Sequence, residues 1–67
     1  MTLVEAMRQA RNGQIIQRKY HILNGMSFTQ WGEIETTDAG KFFKAGWLEK
    51  GGLKLKDLEA DNWEIVA

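Results

Sequence analysis

Two of the three tryptophans fall within residues 46–67, GWLEKGGLKLKDLEADNWEIVA, and this stretch limits what the rest can become. Gly51-Gly52 reads as a turn between Trp47 and Trp63. After it come the apolar positions Leu53, Leu55, Leu58 and Ala60, and the sequence closes on Trp63, Ile65 and Val66. A closing run with a large aromatic and β-branched residues predicts a final strand docked in a sheet. Trp63 is the expected anchor of that docking.

At 67 residues the chain is one small domain, residues 1–67. A chain of this size buries only about 60% of its unfolded surface, so its core is marginal alone. Disulfides, a metal or oligomerisation are the usual supports. The sequence has no cysteine and a single histidine, His21, which leaves homo-oligomerisation as the expected one. No metal and no cofactor is expected. Nine basic and nine acidic residues balance to zero, which argues against a general DNA or RNA binder, since these carry a net basic face. It leaves open the capture of one small anion by a few local cations. No apolar run approaches the roughly 20 residues that span a bilayer, and residues 1–11 lack the apolar core of a secretory signal. A cytoplasmic location is therefore expected.

Along the chain, Thr2-Leu3-Val4-Glu5 has the form of a capping box, and Leu3, Ala6, Met7 and Ala10 recur at helical spacing. A helix over about residues 3–12 follows, stopped at Asn12-Gly13. Residues 14–18 predict a strand. Residues 20–23 are ambiguous, and Asn24-Gly25 signals a turn. Residues 26–31 alternate Met26, Phe28 and Gln30 against Ser27, Thr29 and Trp31, with a bend or bulge expected at Trp31-Gly32. Residues 33–36 form a short strand. Asp38-Ala39-Gly40 is expected as a three-residue turn with a bulge, followed by a strand over residues 41–48 interrupted at Gly46. Leu53 to Leu55 is a candidate strand, residues 56–60 one helical turn, and residues 62–66 the final strand. The sum is an α+β fold: one N-terminal helix packed on a small antiparallel sheet of four to five strands.

Catalysis finds little support. There is no cysteine nucleophile and no glycine-rich phosphate loop, and nothing positions His21 beside Ser27, the only serine. His21 is read as a surface or interface residue. Asp57, Glu59, Asp61 and Glu64 match no calcium loop and are read as a solvated acidic face. Binding is the better class, because seven aromatic residues are generous for so small a core. A ring beside a cation suits a nucleobase and its phosphate. Tyr20 with Arg18 or Lys19, and Trp47 with Lys44 or Lys50, are the candidate pairs. Phe28, Phe42 and Trp63 are read as core. For Trp31 and Trp47, core and interface are evenly balanced.

The helix with its Glu5-Ala6 pair, Gly13, Arg18 five residues on, Gly25-Met26, Gly46-Trp47-Leu48 and the ending DLEADNWEIV together resemble the second type of Thoeris anti-defence sponge, a family of small phage domains. The match is loose over most of the chain and close at its two ends. The family pattern closes on D-L-x-A-x-D-W-x-I-V. Here Asn62 replaces its second aspartate, with Asp61 one place earlier. Tyr20 and His21 stand where the family usually has a tryptophan after the arginine, and residues 50–54 lengthen the segment before Asp57. The resemblance implies a homo-oligomer, dimer or tetramer, in the host cytoplasm. It implies sequestration of a nucleotide immune messenger, a cyclic ADP-ribose isomer or a cyclic oligonucleotide, without cleavage. Arg18, Tyr20 and Trp47 are then expected near the ligand, with Asp57 or Asp61 accepting from ribose hydroxyls or a base edge. The other classes are a protein-binding inhibitor of a host defence enzyme, anti-CRISPR-like, and a purely structural phage oligomer.

Overall fold

The computed structural model describes residues 1–21, 27–46 and 53–67, with backbone only for residues 20, 21, 27 and 28. Helix α1 spans Leu3–Gln9. Its capping box forms as expected: Thr2 Oγ1 accepts from the Glu5 amide at 3.2 Å, and Glu5 Oε1 accepts from the Thr2 amide at 3.0 Å. The helix stops at Ala10, short of Gly13, because a cation closes it from outside. Lys41 Nζ donates to the carbonyls of Met7, Arg8 and Ala10 at 3.0, 3.0 and 2.7 Å. A single ammonium thus takes three carbonyls that a longer helix would have bonded internally, at the negative end of the helix dipole. Lys41→Met is expected to cost about 1 kcal/mol, read as a lower urea midpoint. An unchanged midpoint would remove this cap from the account.

Three strands follow: β1 (Ile15–His21), β2 (Ser27–Thr37) and β3 (Gly40–Ala45). A five-residue helix α2, Leu55–Glu59, leads to the two-residue β4, Glu64–Ile65. All pairings are antiparallel and the order is β3-β2-β1-β4, so the closing strand docks beside β1, on the side away from β3. The α+β fold expected from sequence is the fold observed.

Local details differ from expectation. Strand β2 is one continuous strand of 11 residues, and its register with β1 runs unbroken from Ile15 opposite Glu33 to His21 opposite Ser27. There is no bulge at Gly32. Glycine is needed there for close approach instead, since a Cβ would come within 2.5 Å of the Phe43 ring. Thr37 pairs directly with Gly40, so the hairpin turn holds two residues, Asp38 and Ala39, rather than three. Leu55 opens α2 and is not in a strand. The turns expected at Asn24-Gly25 and Gly51-Gly52 lie outside the described residues.

One face of the sheet is covered. Ile16, Ile34 and Trp63 pack with Leu3, Ala6 and Ala10 of the α1 segment, and Phe43 joins them partly buried. The other face carries the alternate residues of each strand, Trp31 and Phe42 among them, and both are exposed. Phe42 is therefore not core. Phe43 pairs with Ile34 on the covered side, and the two-residue period of a strand turns Phe42 outward. Among the described residues, no helix is long and apolar enough to cross a membrane.

Candidate functional site

The most organised polar region lies inside the fold. β1 carries Arg18 inward, where it is only 8% exposed. Its Nε donates to Gln30 Oε1 on the neighbouring strand at 2.5 Å. One terminal nitrogen donates to Asn62 Oδ1 and the other to Asp57 Oδ1, both at 3.1 Å. The guanidinium also lies over the Trp63 ring, 5.6 Å from its centroid. Five donors in a rigid planar fork suit arginine to such a multi-acceptor seat, where a lysine would not reach all three partners.

Asp57 is wholly buried and does two jobs. Its Oδ1 pairs with Arg18, while Oδ2 accepts from the Lys54 amide at 3.0 Å and so caps α2. Burial pushes its carboxyl pKa up, but the Lys54 amide, the neighbouring Gln30 carboxamide and the bond and charge of Arg18 outweigh burial and hold it below the ordinary aspartate value. The Asp57 carbonyl accepts from Trp63 Nε1 at 2.8 Å, and Asn62 Nδ2 donates onward to the Lys19 carbonyl at 3.0 Å. Among the described residues, Gln30 Nε2 is the buried side-chain atom left without a hydrogen bond.

Of the five residues singled out in the sequence, the structure brings Arg18 and Asp57 together, with each as the other's partner. Asp57 is not part of a solvated acidic face, although Glu59, Asp61 and Glu64 are exposed. The reason is local: as the third residue of α2, Asp57 turns back to cap it and is drawn inward by Arg18. Asp61 sits in the exposed link before Trp63, and its carbonyl accepts from the Met1 nitrogen at 2.6 Å. Tyr20 lies on β1 opposite Phe28 by backbone register. The Tyr20 side chain and the whole of Trp47 lie outside the described residues.

Gln30, Asn62 and Trp63 complete the cluster; Trp63 was expected only as a core anchor, and Gln30 and Asn62 were not expected at the site. One signal was legible: Gln30 falls on the Met26-Phe28 side of the alternation, where a polar residue needs a buried partner. Elsewhere, an open groove lined by Val4, Met7, Arg8 and Lys41 lies beside α1. Its lysine is already spent on the helix cap. Among the described residues, no three histidine, cysteine or acidic side chains converge as metal ligands would. Compared with known proteins, the chain matches no family model, no curated protein and no solved structure.

Proposed function

We propose that the protein is a phage counter-defence sponge that sequesters a nucleotide immune messenger, a cyclic ADP-ribose isomer or cyclic oligonucleotide, as a homo-oligomer and without cleaving it. The supporting observation is the convergence of the residues that carry the family resemblance. Arg18 from the N-terminal half and Asp57 and Trp63 from the ending DLEADNWEIV lie about 40 positions apart in sequence, yet meet in one cluster in which Asp57 bonds to both. The step from scaffold to ligand rests on the resemblance and is an analogy at the level of fold.

In this reading Arg18 and Asp57 are first a frame. Bound to each other, they fix β1 against α2 and the closing segment, and hold Tyr20, two residues beyond Arg18, and the exposed Asp61 relative to one another. Tyr20 and Trp47 are proposed to stack the base, with Asp61 accepting from a ribose hydroxyl. Stacking on an aromatic ring is worth about 1–3 kcal/mol per base. Calorimetric titration with cyclic ADP-ribose isomers and cyclic oligonucleotides is expected to show saturable binding. Tyr20→Ala or Trp47→Ala should weaken it about tenfold or more. No heat across the panel would discard the reading.

A further inference from the structure

Asn12 and Gly13 turn the chain from the α1 segment into β1, and they are the one asparagine–glycine pair among the described residues. The Gln14 amide donates to the Arg11 carbonyl at 3.0 Å, which closes a tight turn over the pair. Gly13 has φ +88°, the left-handed value that the third place of a type II turn demands and that glycine adopts without strain. A Cβ there would meet no atom within 4 Å, so conformation and not crowding calls for glycine. That choice has a chemical consequence, because asparagine is a labile residue. With no side chain in the way, a glycine nitrogen can attack the carboxamide of the asparagine before it. The Gly13 nitrogen bonds to Asn12 Cγ, the bond from Cγ to Nδ2 breaks, and Nδ2 leaves as ammonia with the proton from the Gly13 amide. Water then opens the resulting succinimide. Attack at one carbonyl gives aspartate, and attack at the other gives isoaspartate, whose main chain runs through the former side chain.

The fold opposes each part of this step. Asn12 Oδ1 accepts from the Thr36 amide at 2.8 Å, and the Gly13 amide donates to the Ile34 carbonyl at 2.7 Å. For attack, the carboxamide must swing away from Thr36, and the Gly13 nitrogen must release the proton that the Ile34 carbonyl accepts. Both bonds run to β2, so both are lost together when the link between α1 and β1 lifts off that strand. Asn12 and Gly13 are themselves exposed, so water for the second step is at hand. We infer that Asn12 is a self-modification site that the folded state keeps shut and that opening of residues 10–14 from β2 releases. The isoaspartyl product then opposes closure. Its main chain is one atom longer between Arg11 and Gly13, so the bonds to Thr36 and Ile34 no longer fall in step. The third bond of the link, from the Ile34 amide to the Gln14 carbonyl at 2.9 Å, shares that spacing. Ile34 is wholly buried, so loosening its partners reaches the core. The modification thus marks molecules that have opened and keeps them open.

The reaction needs only water, so the full chain is incubated alone in mildly alkaline buffer, with and without denaturing guanidinium chloride. Peptide mapping by mass spectrometry, with aspartyl and isoaspartyl forms separated, keeps Asn12 apart from the second such pair in the sequence, Asn24-Gly25. Asn12 is expected to convert about a hundredfold more slowly in the folded protein, because the reaction then waits on the small open population. Asn12→Gln should abolish conversion at this position in guanidinium, since its longer side chain closes the ring far less readily. Chains carrying isoaspartate at position 12, separated after denatured incubation and refolded, should exchange the Ile34 and Thr36 amide protons at least about tenfold faster than wild type. Asn12→Asp adds the charge without the extra main-chain atom and keeps an acceptor for Thr36, so its exchange should stay near wild type. Equal conversion of Asn12 in folded and denatured protein would overturn the inference. So would refolded isoaspartyl chains that exchange as slowly as wild type.

Discussion

Arg18→Ala is expected to remove a large share of the protein's stability rather than trim one contact. The substitution leaves Asp57 buried with its charge unpaired, takes the partner from Gln30 Oε1 and Asn62 Oδ1, and opens space over the Trp63 ring. Breaking a buried ion pair from one side costs about 3–5 kcal/mol. A domain of this length has a total stability of only about 3–10 kcal/mol. Thermal unfolding should therefore drop by at least about 12 °C. Arg18, expected from the sequence near the ligand, is thus a residue on which the fold depends. Arg18→Met combined with Asp57→Leu should cost less than the two single losses together, since no lone charge stays inside. A single variant with wild-type stability would contradict the buried pair.

The same pair sets the response to acid. Asp57 holds its proton less tightly folded than unfolded, so the unfolded chain takes up the proton first as pH falls. Its contribution is complete above about pH 4, the ordinary aspartate value, and is lost as pH falls through the folded value. In any Arg18 variant that still folds, desolvation acts on Asp57 with less to oppose it, so the loss of stability on acidification should shrink or reverse.

Trp63→Ala is the second large effect, expected to cost about 3–5 kcal/mol. The side chain is 1% exposed and meets Phe43 edge-on, with centroids 5.8 Å apart. Its indole N–H satisfies the Asp57 carbonyl, and its backbone amide donates to the Met1 carbonyl at 2.9 Å. Trp63 thus joins the core, the charged cluster and the N-terminal segment. Trp63→Phe keeps most of the apolar ring but orphans that carbonyl, a loss of about 1–3 kcal/mol. Chemical denaturation of both variants separates the packing from the hydrogen bond. Equal losses for both would mean that the ring volume contributes little.

What could be read from sequence was local. The α1 capping box and a turn beginning at Asp38 depend on residues a few places apart and have short patterns, although the turn is one residue shorter than expected. The helix end was misplaced because its terminator, Lys41, comes from another strand more than 30 residues away. Gly32 was misread as a bulge because a glycine in a strand marks either a bend or a close approach, and only the position of Phe43 decides between them. The Arg18–Asp57 pair spans 39 positions. Arg18 and Asp57 were legible as important residues but not as each other's partner.

The proposed function is tested most directly by the fate of a captured nucleotide. Purified protein is mixed with each cyclic ADP-ribose isomer and cyclic oligonucleotide, passed through a desalting column and heated, and the released small molecules are weighed by mass spectrometry. The expected result is stoichiometric recovery of one nucleotide class with its mass unchanged. A hydrolysed product, or no nucleotide carried through the column, would contradict sequestration.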